Sequence, residues 1–248
     1  LGSSFDKTWS APAGGAARTA EERTWVRALY DGEVRYVDAQ VGRVLDALRR
    51  LDLYDGTLIV VAADHGEEFW DHSRFEHGHT LYNELVRVPL LIKRPGSAAT
   101  APIETGVTTR AVMPTILDLC AVADFNREGL LPALTPLLAG QPDGFAEVPL
   151  FIGHNVFHER MEGVVFDQMK YTREKLSGRE QLFNLRDDPA ELHSLADQDS
   201  VNLERGRRLM EEAAAADART TEQLGIRTED QGHLNHEDAN ALQALGYL

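Results

Sequence analysis

The segment Thr57–Pro89, TLIVVAADHGEEFWDHSRFEHGHTLYNELVRVP, decides how the rest of the chain is read. It opens with Leu58 to Ala62, a continuous β-branched and aliphatic run, the pattern of a strand buried on both faces of a parallel sheet. The run leads into Asp64-His65-Gly66, passes through a loop with His72, His77 and His79, and returns in a second apolar run from Val88 to Ile92. Four of the nine histidines therefore fall in one segment, beside carboxylates. Ligands of open α/β sheets gather outside the carboxyl ends of the strands, which is where Asp64 and His65 stand. A carboxylate and an imidazole side by side offer an anionic oxygen and a neutral nitrogen to one divalent cation, and Gly66 lets the backbone turn tightly. The same three residues also suit a helix N-cap or a hydrogen-bonded turn with no ligand at all.

Upstream, apolar residues recur at three- and four-residue steps from Val26 through Tyr30, Val34, Val37, Val41, Val44, Leu45 and Leu48. This spacing predicts a long helix over Thr24 to Leu51 with one apolar face. Arg49 and Arg50 suit its C-terminal dipole, and Asp55-Gly56 turns the chain. Residues 1–20 are rich in Gly, Ala, Ser and Pro and read as a loop or linker. Downstream, Val112 to Val122 predicts a helix with Pro114 near its start, and Leu130 to Gly140 a short helix or turn. The composition changes near Gln141 to Val148. Beyond it, Pro149 to Ile152, Gly163 to Asp167 and Met169 to Arg173 predict short strands with a turn at Asp167-Gln168. Asn202 to Arg219 predicts a charged, Ala-rich helix, and the apolar end ALQALGYL is expected to dock on the body. The order of elements predicts an α/β sandwich followed by a small antiparallel sheet with a helix. The expected division is 1–23 as linker, 24–145 as the sandwich portion and 146–248 as a C-terminal subdomain.

The 248 residues, 43% hydrophobic, are enough for a full core. A formal charge of −15 opposes a phosphate-tracking surface, so no nucleic-acid partner is expected. One cysteine, Cys120, excludes a disulfide framework, and its apolar neighbours predict a small buried residue. No stretch reaches the roughly 18 to 20 apolar residues that cross a bilayer.

Several motifs in order resemble the C-terminal half of the sulfatase family, within the alkaline-phosphatase-like superfamily. They are Asp64-His65-Gly66-Glu67, Glu76-His77-Gly78, Leu81-Tyr82, Glu84, and Arg87-Val88-Pro89-Leu90. Tyr30-Asp31-Gly32-Glu33 and Tyr36-Val37-Asp38 resemble that family's helix before the strand, and Pro114 to Leu119 its helix after the second strand. Leu182-Phe183-Asn184-Leu185 with Asp188-Pro189 and Glu191-Leu192, and the terminal Ala244-Leu245-Gly246-Tyr247-Leu248, are similar to its C-terminal motifs. The resemblance implies hydrolysis of a sulfuric ester, on a small molecule or a glycan, by an arylsulfatase-like enzyme. It implies that Asp64 and His65 are ligands of the active-site divalent cation, commonly Ca2+. Relatives often carry Asn in place of His65, and imidazole is a less typical calcium ligand, so Mg2+, Mn2+ and Zn2+ stay open. His77 stands where relatives place a Lys or His that touches the sulfate or the leaving oxygen, as a catalytic and substrate-binding residue, with His79 as a second substrate-side residue. His72 is expected to face solvent, Arg87 to order the loop through an ion pair, and His154 and His158 to be candidates for the substrate mouth. Periplasmic or secreted residence is expected from the resemblance alone, and a cytoplasmic location stays open.

The pattern breaks at the nucleophile. The family oxidises the Cys or Ser of a Cys/Ser-x-Pro-x-Arg motif to formylglycine, and this chain has no such motif. The early acidic metal ligands of the family are also absent. The expectation is that the chain is the C-terminal portion of a larger enzyme, inactive by itself. Two other readings remain: a phosphoric or phosphonic ester hydrolase, or phosphoryl transferase, on the same scaffold, and a non-catalytic interaction module.

Overall fold

A computed structural model describes residues 19–98, 100–123, 131–145, 148–154 and 161–223. The terminal ALQALGYL lies outside them. The described chain is α/β with a four-stranded antiparallel sheet and a long helix toward its C-terminal end. Its described residues form two compact units, one built from 19–61, Glu67–His77 and 91–98, the other from Ala62–Gly66, Gly78–Leu90 and the described residues from Thr100 on.

In the first unit, α1 (Ala20–Arg50) starts four residues earlier than its apolar spacing predicts. The cause is a capping box: Thr19 Oγ1 accepts from the Glu22 N–H, and Glu22 Oε2 accepts from the Thr19 N–H. Of the predicted apolar face only Val26 is buried, while Tyr30, Val34, Val37 and Val44 are exposed. Strand β1 (Ile59–Ala62) pairs with β4 (Leu90–Lys93). The expectation that β1 is buried on both faces fails: its residues run from half-buried to exposed, because no second layer covers them among the described residues. Lys93 Nζ fastens the end of β4 to the turn after α1, donating to the carbonyls of Tyr54 at 2.6 Å and Thr57 at 3.0 Å. Between them lies a hairpin of two-residue strands, β2 (Glu68–Phe69) and β3 (Phe75–Glu76).

In the second unit, the short helix α2 (Asn83–Val86) precedes β4, and α3 (Val112–Leu119) and α4 (Thr135–Leu138) follow it. Helix α3 stops three residues before the predicted Val122. Ala121 takes a left-handed conformation, and the Val122 N–H returns to the Leu117 carbonyl at 2.9 Å. Cys120 thereby caps the helix from outside and is exposed, not buried as its apolar neighbours suggest.

Strands β5 (Leu150–His154), β6 (Met161–Phe166), β7 (Met169–Glu174) and β8 (Glu180–Asn184) make an antiparallel meander in that spatial order. The turn between β6 and β7 is the predicted Asp167-Gln168, both with positive φ, the conformation of a two-residue hairpin loop. Strand alternation sends Phe151, Val164, Tyr171 and Leu182 to one face, where Leu203 and Met210 of α5 (Ser200–Gln223) cover them. Helix α5 can approach because residue 206 is glycine: a Cβ there would sit 2.6 Å from Tyr171 Cβ and Cγ. The other face carries Lys170, Thr172, Gln181 and Phe183, and it meets the segment around Tyr82 and Asn83.

Candidate functional site

At the end of β1 the chain turns through Asp64, His65 and Gly66. The Asp64 Oδ1 accepts from the His65 N–H at 3.1 Å, so the carboxylate folds back over its neighbour. The His65 Nδ1 lies 2.8 Å from the Gly66 carbonyl oxygen. A carbonyl can only accept, so Nδ1 is the donor, and in the neutral ring Nε2 carries the lone pair. That Nε2 is 3.9 Å from Asp64 Oδ2. Both side chains reach solvent, Asp64 at 79% and His65 at 37% exposure. The donor set, an anionic oxygen and a neutral imidazole nitrogen with its tautomer fixed by a backbone bond, fits a divalent cation of borderline hardness.

The turn is held from behind. The Gly66 N–H donates to the Leu85 carbonyl of α2 at 2.8 Å. A Cβ on residue 66 would sit 1.9 Å from the Glu84 carbonyl oxygen, so only glycine admits this approach.

The histidine loop is built differently. Residues Arg23, Arg27 and Tyr30, four and three positions apart, share one face of α1. Arg27 Nη2 donates to the Phe69 carbonyl at 2.7 Å and to Asp71 Oδ1 at 3.0 Å. Burial opposes ionisation of Asp71, but the bonds from Arg27 and from the Phe69 N–H outweigh it and hold the carboxyl below its ordinary range. Arg23 stacks over the Trp70 ring at 5.3 Å, and Trp70 lies parallel on Phe75 at 4.5 Å. Tyr30 meets Phe69 edge-on at 5.0 Å.

This clamp fixes a hairpin whose register pairs Glu68 with Glu76 and Phe69 with Phe75. One further step of the same register sets Glu67 opposite His77. The Glu67 Oε2 lies 3.4 Å from His77 Nδ1, a long contact in which the carboxylate can only accept. Nε2 of His77 is then the atom directed away from the glutamate. The Tyr30 hydroxyl is pushed above its ordinary pKa by burial first, then by the negative charges of Glu67 and Asp31.

Asp64, His65 and His79 thus belong to one compact unit and His72, His77 and Glu67 to the other. His79 is half-buried, as is His72, which was expected to face solvent. Arg87, expected to order the loop through an ion pair, is exposed and has no carboxylate partner among the described residues. Its backbone N–H instead closes α2 on the Asn83 carbonyl at 2.9 Å. His154 is the last residue of β5, opposite Met161, and His158 lies outside the described residues. Glu67 was legible in the sequence only as part of the Asp-His-Gly-Glu string; its pairing with His77 needs the hairpin register.

Residues 4–122 match the family model "Sulfatase". Arylsulfatase K of Gallus gallus is 31% identical over 192 residues, which cover 72% of this chain and 35% of that protein. Among solved structures, a 2-O GAG sulfatase is 27% identical with a TM-score of 0.60, over 75% of this chain and 41% of that one. The phosphonate monoester hydrolase of Agrobacterium radiobacter is 26% identical with a TM-score of 0.63, over 81% and 41%. The chain covers between 19% and 35% of the length of the curated relatives it matches. These likenesses place the fold among the sulfatases of the alkaline-phosphatase-like superfamily.

Proposed function

We propose that this chain, whose residues 4–122 match the sulfatase family model, supplies part of a metal-dependent active site for sulfate ester hydrolysis. The observation that carries the reading is the Asp64–His65 pair: Oδ2 and Nε2 stand 3.9 Å apart at the carboxyl end of a strand, with Nδ1 engaged by a backbone carbonyl. Asp64 and His65 would hold the cation; the family resemblance leads to Ca2+, whereas the imidazole donor of His65 suits a cation of borderline hardness such as Zn2+ better. When bound, the cation supplies electrostatic stabilisation of charge on the ester's oxygens. In its doubly protonated form His77 binds the substrate oxygen through Nε2–H and gives that proton to the leaving alcohol as the S–O bond breaks, while Glu67 holds Nδ1–H and the ring is left neutral. His79 is the second substrate-side residue. The nucleophile comes from outside these 248 residues. The exposed apolar stripe of α1 and the half-exposed β1 support this, since a larger sandwich would cover both.

The substrate is an alkyl or aryl sulfate, free or on a glycan. A phosphonic ester is the second reading, favoured by the likeness to the phosphonate monoester hydrolase. The test is twofold. Calorimetric titration of the chain with Ca2+ and Mn2+ should show one site that Asp64→Ala removes, and unaltered uptake in that variant would refute the assignment. The chain incubated with an aryl sulfate and Ca2+ should give no turnover; turnover abolished by Asp64→Ala would show that the nucleophile lies within these residues.

A further inference from the structure

Lys170 and Glu191 form an ion pair at 2.7 Å, both side chains at 0% exposure. Sealing two charges from water costs several kcal/mol per ion, so a pair this deep is weak evidence for stability and asks for another purpose. Burial pushes the Lys170 ammonium below its ordinary pKa, against the opposing pull of Glu191. The pair has a third member. Glu191 Oε2 accepts from the Asn83 backbone N–H at 2.6 Å, and Lys170 Nζ donates to Asn83 Oδ1 at 3.3 Å.

Asn83 is the first residue of α2, and its N–H is one of the donors that a helix start leaves without an intrahelical partner. Neighbouring contacts reinforce the anchor: Asn83 Nδ2 donates to the Pro189 carbonyl at 3.3 Å, and Gln181 Nε2 donates to the Tyr82 hydroxyl at 3.1 Å. The opposite end of this four-residue helix carries the Leu85 carbonyl that receives the Gly66 N–H. A continuous path of short polar contacts therefore runs from the C-terminal sheet through α2 to the Asp64–Gly66 turn.

We propose that Lys170 and Glu191 are positioning residues for the Asp64–His65–Gly66 turn, acting through the Asn83 N–H and α2. They touch neither Asp64 nor His65. Their value to a metal site rests on the reading given under Proposed function, but the positioning itself does not.

The double variant Lys170→Met/Glu191→Leu removes both charges together and leaves no buried charge unpaired, which favours folding. Asn83→Pro is a second route. Proline is tolerated at a first helical position, and Tyr82, with ψ of 161°, already has the extended conformation that a following proline requires, so chiefly the N–H and the Asn side chain are lost. Leu203→Ala, in the core between α5 and the sheet, serves as a control that lowers global stability alone. Native-state amide exchange is followed at Gly66 and at the β6 amides. In the double variant and in Asn83→Pro, Gly66 should exchange at least tenfold faster relative to β6, while in Leu203→Ala the two should move together. A Gly66 amide that keeps step with β6 in both variants overturns the proposal. Titration of the full chain with Ca2+ separates the second question. If Gly66 loosens but Asp64→Ala leaves Ca2+ uptake unchanged, positioning stands and the metal reading falls.

Discussion

Gly66→Ala should be among the most damaging single-methyl additions in this chain, and the reason is steric. Gly66 is not in the left-handed region, so alanine is conformationally admissible there. On backbone entropy alone the substitution would stabilise by about 0.4–1 kcal/mol. The added Cβ, however, would sit 1.9 Å from the Glu84 carbonyl oxygen, 2.9 Å from its carbon and 3.3 Å from Leu85 Cα. All three are backbone atoms, and no rotamer change moves them. Restoring ordinary contact near 3.4 Å requires α2 and the turn to part by about 1.5 Å, which breaks the 2.8 Å Gly66–Leu85 hydrogen bond. Overpacking costs about 1–3 kcal/mol, and the lost hydrogen bond about 0.5–1.5 kcal/mol more. Net of the entropic gain, the loss is about 0.5–4 kcal/mol, centred near 2 kcal/mol. With a urea slope of about 2–3 kcal/mol per molar, the unfolding midpoint should fall by about 1 M. Urea titration followed by tryptophan fluorescence measures this, and amide spectra locate the disturbance at 64–66 and 83–86. A midpoint within about 0.2 M of the parent, with those amides unshifted, would refute the close approach of α2 to the turn.

Gly206→Ala sets helix propensity against packing. Propensity alone predicts a gain of about 1 kcal/mol, but a Cβ 2.6 Å from the fully buried Tyr171 ring predicts a loss of about 2 kcal/mol. The sign of the change in thermal midpoint decides between them. Glu67→Gln should lower the fraction of His77 protonated at Nδ1, read from long-range proton–nitrogen spectra of labelled histidine; an unaltered pattern would mean that Glu67 does not set the tautomer. On acidification, the C-terminal sheet should lose stability in a defined window. Arg207 hydrogen bonds, aided by Tyr171 and opposed by burial, hold Glu180 down at about 2 from 4.5. A depressed carboxyl contributes fully above its unfolded value, and the contribution disappears as pH falls from about 4.5 to about 2. With Arg207 partly solvated, the loss is on the order of 2 kcal/mol, and Glu180→Gln should flatten that limb of the denaturation curve.

Helix α1 was legible from its apolar spacing, although most of that face is exposed among the described residues. Strands β1 and β4 and three strands of the meander were legible as short apolar runs, and α5 from its charged, Ala-rich composition. Hairpin β2–β3 was not legible. Its strands have two residues each, and the chain reverses through positive φ at Trp70, Ser73 and Glu76 without a glycine to announce it. The early stop of α3 is hidden in the same way, since Ala121 gives no sign of a left-handed conformation. Asp64 and His65 stand out because they follow a strand directly. Lys170 and Glu191 do not, because isolated charges in a sequence read as surface and their shared partner is about a hundred residues away.

This division has a chemical counterpart. The candidate metal turn is braced by Gly66, α2 and the Lys170–Glu191 pair, and the Glu67–His77 contact is braced by the Arg23–Arg27–Tyr30 face of α1. Each brace lies within one compact unit and needs nothing beyond the described residues. On the reading proposed above, the ligands are therefore preorganised even where the nucleophile is lacking. Two protein ligands still leave most of the coordination shell of a cation such as Ca2+ to water. Cation binding and turnover should then separate: the chain takes up a divalent ion through Asp64 and His65 with modest affinity, and hydrolysis of the ester waits on residues from outside it.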